Sequence, residues 1–543
     1  MNKNIVICSD GTGNTTIKGR GTNVFKMFES IDLNGHRFDP ELDPQVAIYD
    51  DGVGTEDFKP LKILGGVTGW GLSRNVKQLY KELCRIYDPG DRIFLFGFSR
   101  GAFTVRTLAG IITKCGIIDA RKQPTAGAFD CSVNAAYKAY RSCYRTIFMR
   151  LFLGAPDSDA TINFKAKFCH SQPPEVHFIG VWDTVDAVGM PFHISDMINT
   201  VIYPFKFPNQ RLSEHVKHAY HALAIDDERH SFHPLLWDQS IPSENKHQKI
   251  EQIWFAGAHS NVGGGYPKQG MSLVPLDWLM EKAKAADLRF IPDEGEYYRD
   301  HANVDDKLYD PRAGLGVFYR WKPRDIAAIC RKNDVAPTIH LSVLERVAHG
   351  TEDYSPGNLP SNATVVITPT GDPEKDAAAQ QRALAAENIL KSAHGNESSL
   401  LDRVRNTINI GRFSYYIYLL SCVATLIVGS GALDRTAGIN LWTILKDVVL
   451  LAINIATSPF STLPSIYAAL SYKSVRLIWI FGGFVLAYLL MKFSDRRMTA
   501  TFSRFWFEQQ QRLRDALKLA RAKAKEAVSS GAKTTSEQRR PVE

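Results

Sequence analysis

Over roughly the first 360 residues, short runs of Val, Ile and Phe alternate with longer stretches of helical spacing. A parallel sheet with helices on both faces requires that alternation. Residues 5–9, 46–49, 92–97, 176–182 and 252–257 read as its strands. Residues 121–168 are helical in spacing but fit the scheme poorly, and they read as an insertion placed to cover a site at the sheet. A stretch rich in Pro, Gly, Asn and Ser follows (YSPGNLPSNATVVITPTGDPEKDAAAQQ), which reads as a linker leading into an Ala-rich helix.

The pattern then changes. Residues 413–433 (FSYYIYLLSCVATLIVGSGAL) carry no charge for 21 positions, enough to cross a hydrocarbon core at about 1.5 Å per residue. A second uncharged run, 477–491, is shorter, but Arg476 and Lys492 can snorkel from its ends and complete a span over 475–493. Between them, 448–472 is uncharged but holds Pro459 and Pro464, which fits a re-entrant segment or a third span. Arg403, Arg405 and Arg412 precede the first run, and Lys492, Arg496 and Arg497 follow the second. That bias favours a hairpin with both ends on the cytoplasmic side. The expected organisation is therefore a catalytic domain (1–360), a linker and helix (361–400), a membrane region (401–497) and a basic helical tail (498–543).

Charge sharpens this picture. The formal net charge is +8, and from Lys492 onward 13 Lys and Arg face 6 Asp and Glu, so the excess sits in the tail. The rest is near neutral, which argues against nucleic-acid binding by the main domain and points the tail at acidic lipid or a partner. Eight cysteines stand singly, with no zinc spacing, so free thiols are expected, with no structural metal and no cofactor. The first residues, MNKNIVICSDG, lack the apolar core of a secretory signal, and synthesis in the cytoplasm is expected.

The chemistry centres on DRIFLFGFSRGAFTVRTLAGII, which contains Gly97-x-Ser99-x-Gly101. The tripartite pattern is weak alone. Here it follows an apolar strand and opens a helix with small residues, the setting of a nucleophile elbow. A serine alcohol needs a base and an orienting acid, which in this fold follow in the order acid, then His, each just after a strand. Asp183, after VHFIGVW, and His259, after IEQIWFAGA and ahead of Gly263, Gly264 and Gly265, fit that order. Asp186 and Asp226 are alternative acids, with Asp227 beside them; otherwise Asp186 and Asp226 cap helices or pair with Arg229. One oxyanion donor is expected from the amide of Arg100 and the other from Gly11 or Thr12, in the turn after the first strand. That turn, Asp10-Gly11-Thr12, also resembles the nucleophile loop of haloacid-dehalogenase phosphatases. Those need an aspartate where this chain has Cys8, so the phosphatase lacks its nucleophile.

CSDGTGN, DDGVGT, GFSRGAFTVR, GVWDTV, HALAIDDERHSF, WFAGAHSNVGGGY and YSPGNLP occur in this order within about 360 residues. The set resembles the bacterial domain-of-unknown-function-2235 family, which includes type VI secretion lipase effectors of the Tle group, first class. The resemblance implies an α/β-hydrolase fold, phospholipase A activity and a triad that maps onto Ser99, Asp183 and His259. A phospholipid membrane is the implied partner, and an immunity or secretion-apparatus partner is not readable from the residues. The resemblance stops near the linker. The apolar hairpin therefore admits either a multi-pass enzyme of the bacterial inner membrane, with its catalytic domain cytoplasmic, or a secreted effector. The competing readings are an esterase for another substrate and a non-catalytic membrane scaffold on a hydrolase fold.

Overall fold

A computed structural model describes residues 2–11, 21–52, 70–143, 159–185, 211–240, 244–313, 319–395, 398–429, 446, 450–451 and 474–537; of residues 70, 474–477 and 523–537 it describes the backbone alone. Its centre is one eight-stranded sheet: β1 (Asn4–Ser9), β2 (Gln45–Asp50), β3 (Arg92–Phe98), β4 (Val176–Trp182), β5 (Val216–Ala224), β6 (Lys249–Phe255), β7 (Thr338–His340) and β8 (Thr364–Val366). The order is β2-β1-β3-β4-β5-β6-β7-β8, and every neighbouring pair is parallel. The chain starts at β1, steps outward to β2 and then returns past β1 to β3. The direction of winding reverses there, and ligands of open α/β sheets bind outside the strand ends at such a point.

The strands are apolar on both faces because both are covered. Ile5, Ile7, Ile93, Leu95, Ile179 and Val181 point into one core, while Val6, Phe94, Phe96, Phe178 and Trp182 point into the other. This is the period-two alternation of a doubly covered sheet. In chain order the helices are α1 (Asn23–Glu29), α2 (Trp70–Ile86), α3 (Arg100–Cys115), α4 (Ala126–Ser142), α5 (Asp159–Phe168), α6 (His259–Gly263), α7 (Gly270–Lys284), α8 (Glu294–His301), α9 (Ile326–Lys332), α10 (Leu341–His349), α11 (Pro373–His394), α12 (Arg405–Gly429) and α13 (Ser474–Glu537).

Three expectations are corrected. The described part of the 121–168 insertion does not cover the strand ends. Phe129, Val133, Ala136 and Tyr140 recur at helical spacing along α4 and join the first core; Tyr140 lies against Gly110 of α3, and Cys169 meets the C-terminal end of α3 at Gly116. That helix runs antiparallel to β3, so its C-terminus lies at the opposite end of the sheet from Ser99. Second, the stretch read as a linker contributes β8 to the sheet; the Ala-rich helix expected after it is α11, which buries Ala383, Ala386 and Leu390 in a third core. The polar composition of that stretch belongs to the turns around this short strand.

Third, the second apolar run and the basic tail are one continuous helix, α13, of 64 residues. Its lower part docks on the catalytic domain rather than facing outward. Phe505, Trp506 and Leu513 are buried in the third core, and the Trp506 indole donates to the Pro356 carbonyl at 2.7 Å. The aromatic pair supplies the apolar stripe that the tail's charge obscured.

The upper part of α13 packs antiparallel to α12. Ser494 donates to the Thr407 carbonyl (2.8 Å), Tyr418 meets Phe484, and a Cβ at Gly483 would lie 2.4 Å from the Ser421 hydroxyl. Arg405–Val428 and Ile478–Ala522 are long and apolar enough to cross a membrane, and only 22% and 11% of their most apolar stretches are buried. A core helix of a soluble protein would be mostly covered. Phe413, Leu420, Trp479 and Phe481 instead face outward, each more than 60% exposed.

Candidate active site

β3 ends at Phe98, Ser99 forms the turn, and α3 starts at Arg100. Ser99 has φ 58° and ψ −121°, a region that costs a non-glycine residue about 1–3 kcal/mol. Its neighbours hold it there. A Cβ at Gly97 would lie 2.7 Å from the Ala102 backbone, and one at Gly101 would lie 2.0 Å from the Ser9 carbonyl. No side chain fits at either position, so the Gly-x-Ser-x-Gly pattern follows from strand, turn and helix crowding together. The Ser99 amide donates to the Trp182 carbonyl at 3.1 Å, which fixes the elbow against the end of β4.

Asp183 follows β4 and His259 opens α6, just after β6. The loop bearing His259 passes close to the elbow: a Cβ at Gly263 would fall 2.0 Å from the Phe98 ring, and Gly264, at φ +85°, lies against the Asn23 amide. The imidazole is held between two aromatic rings, Phe98 at 4.6 Å and Phe232 edge-on at 5.1 Å.

His259 Nδ1 lies 2.6 Å from Asp183 Oδ2, and His259 Nε2 lies 2.8 Å from Ser99 Oγ. All three residues are buried. Burial alone would raise the Asp183 pKa; the Arg324 charge, with the bonds from His259 and Arg324, holds it well below the usual carboxylate range. An ionised carboxylate only accepts, so Nδ1 carries the proton and Nε2 accepts from the Ser99 hydroxyl. Burial pushes the His259 pKa down, against the pull of Asp183, and keeps the ring neutral as a base. A hydroxyl, an imidazole and a carboxylate thus stand in one hydrogen-bonded line.

Arg324 carries no signal in the sequence. It lies just before α9, is fully buried, and grips Asp183 with both terminal nitrogens, Nη1 to Oδ1 at 2.7 Å and Nη2 to Oδ2 at 2.9 Å. It also donates to the Ala224 and Phe232 carbonyls. Asn358 braces it from YSPGNLP, its amide donating to the Arg324 and Ile225 carbonyls. A buried arginine and a surface one are written identically in sequence, and only the tertiary fold distinguishes them.

The other candidate acids divide. Asp226 accepts from the Gly257 amide (2.7 Å) and the Tyr354 hydroxyl (2.8 Å), holding two chain segments together. The expected pairing with Arg229 belongs to Asp227, whose carboxylate takes both Arg229 Nε and Nη2 and also accepts from the His259 amide at 3.3 Å. Asp186 lies outside the described residues. Of the expected oxyanion donors, Arg100 stands first in α3. Gly11 does not serve as expected, because its amide donates to the Asp10 carboxylate at 2.5 Å. Asp10 is buried and also takes the hydroxyls of Thr22 and Tyr49, so it locks the turn beside Gly101. Thr12 lies outside the described residues.

Residues 3–282 match the family of type VI secretion phospholipase effectors, Tle1-like catalytic domain. The chain belongs to this family. The matched segment is the catalytic domain of that family, in agreement with the resemblance read from the motifs. The match ends before Arg324, Asn358 and the apolar hairpin. An uncharacterized protein of Saccharomyces cerevisiae, YEL023C, is 26% identical over 251 residues, 43% of this chain and 32% of its own. The chain thus spans about a third of that relative's length. An uncharacterized protein from Pseudomonas aeruginosa of known crystal structure is matched over 72% of this chain and 59% of its own, at 15% identity and a TM-score of 0.31.

Proposed function

We propose that this chain is a membrane-tethered serine hydrolase that cleaves acyl esters of glycerophospholipids, with Ser99, His259 and Asp183 as its triad. The observation that carries the reading is the hydrogen-bonded line from Ser99 through His259 to Asp183, at the strand ends of a phospholipase-family domain. His259 Nε2 takes the Ser99 proton as Oγ attacks the ester carbonyl. Asp183 holds the imidazole in its tautomer and stabilises the imidazolium that forms. The Arg100 amide, with a second amide at Thr12, receives the developing oxyanion. His259 then gives its proton to the leaving lysolipid oxygen, and water releases the fatty acid from Ser99 by the reverse relay.

The tether rests on α12 and the upper half of α13, whose outward faces are apolar and uncovered. Burial there would place the catalytic domain at a lipid surface, where its substrate is. A fluorophosphonate probe tests the nucleophile directly: adduct formation at Ser99, absent in His259→Ala, supports the reading. Labelling of another serine with Ser99 unmodified would sink it.

A further inference from the structure

A narrow cavity of about 200 Å3 lies where the apolar hairpin meets the catalytic domain. Its walls come from three places: Tyr319 and Trp321 of the domain, Tyr415 and Tyr418 of α12, and Phe484 and Met491 of α13. Along α13 the lining runs from Phe484 to Met498, roughly 21 Å at 1.5 Å per residue. The volume is below the roughly 300–1,000 Å3 of an ordinary small-molecule pocket. A long, thin apolar slot fits an extended hydrocarbon chain better than a compact ligand.

The slot's wall reaches the candidate site through two packed rings. Tyr319 lines the slot and stands edge-on to Phe232 at 5.4 Å, and Phe232 stands edge-on to His259 at 5.1 Å. At the other end, the walls are the inward sides of the two helices whose outward sides are apolar and exposed. A chain entering from a bilayer between these helices would meet no charged group until Arg312 and Asp495, near the domain end.

We propose that this cavity holds one acyl chain of a membrane lipid, so that the lipid reaches the site sideways between α12 and α13 with its ester toward Ser99. The proposal rests on the phospholipase reading above and deepens it by assigning the chain-binding subsite. Close approach of the helices maintains the slot: a Cβ at Gly411 would lie 2.7 Å from the Trp321 ring and 3.0 Å from the Ser494 hydroxyl.

The test uses the full-length Ser99→Ala chain, which leaves the probe intact, in phosphatidylcholine vesicles doped with an analogue carrying a diazirine at one acyl end. After irradiation, adducts are mapped by mass spectrometry. Adducts at Tyr319, Met491 or Met498 are expected; adducts confined to outward residues such as Phe413, Leu420 and Trp479 would overturn the subsite. A second measurement fills the slot with Ala487→Trp. The ratio of kcat/KM on a long-chain phospholipid to that on a soluble butyryl ester should fall at least roughly tenfold, and an unchanged ratio would overturn the proposal. Inward adducts without Ser99-dependent hydrolysis by the wild type would keep the lipid site and refute the phospholipase. Hydrolysis with outward adducts alone would do the reverse.

Discussion

Replacing Arg324 by Met removes one charge from a pair in which both partners are fully buried. The substitution keeps a long apolar side chain, so little volume is lost, but Asp183 is left ionised with only His259 and the Ala224 amide as partners. Breaking a buried ion pair by deleting one partner costs about 3–5 kcal/mol, because the remaining charge has no compensation. For a large domain that corresponds to a fall in melting temperature of roughly 6–20 °C. Asp183→Asn in the same chain removes the stranded charge, so the double variant should regain most of the lost stability. Turnover should not return, because Asn cannot hold the Nδ1–H tautomer; in serine-protease triads that exchange costs roughly 10^4-fold in kcat. The single variant has a further signature. A positive charge leaves the surroundings of His259, so the imidazolium becomes easier to form and the acidic limb of kcat/KM moves to higher pH. The assays are thermal unfolding in detergent and pH–rate profiles of the three variants. A single variant that melts with the wild type and keeps its acidic limb would refute the role assigned to Arg324.

Other outcomes follow from the same geometry. Ser99→Gly should abolish hydrolysis yet raise the melting temperature slightly, since glycine adopts φ 58° without strain worth about 1–3 kcal/mol; a lower melting temperature would contradict the strained elbow. Gly101→Ala should fail to fold normally, its methyl carbon falling 2.0 Å from the Ser9 carbonyl, and soluble, active protein would be the contrary result. His221 and His340 are buried and held neutral, with pKa values pushed down to about 3 chiefly by burial. The unfolded chain binds these protons below pH about 6.5 while the native state does not, so stability is lost as pH falls through that value. From pH 7 to 5 the loss is about 2 kcal/mol for each, and denaturant midpoints that do not fall over this range would show the histidines to be protonated in the native state.

The parts of this molecule legible in its sequence are those set by local rules. Strands β1 to β4 and β6 announced themselves as apolar runs, and the elbow by glycines that crowding demands at 97 and 101. Asp183 and His259 were singled out by chain order after strands, and the fold brings them within 2.6 Å of one another. β5 was missed as a strand because VKHAYHALA mixes lysine and histidine into a buried run; His221 is fully buried there, its Nε2 accepting from the Thr184 amide. β7 and β8 are three residues each, too short to show a period. Arg324 and the docking of Trp506 depend on partners far away in the chain, at Asp183 and Pro356, and no local pattern encodes such pairs. The Gly11 amide is a different case: its partner, Asp10, is its immediate neighbour, and the pairing depends on the conformation of the turn.

The central claim is a Ser99-dependent cleavage of membrane lipid, and lipid-product mass spectrometry tests it most directly. Wild type and Ser99→Ala are compared on mixed phospholipid vesicles. The account predicts fatty acid and lysophospholipid in equal amounts from the wild type and neither from the variant. Equal product from both proteins, or none from a wild type that a fluorophosphonate labels at Ser99, would contradict it.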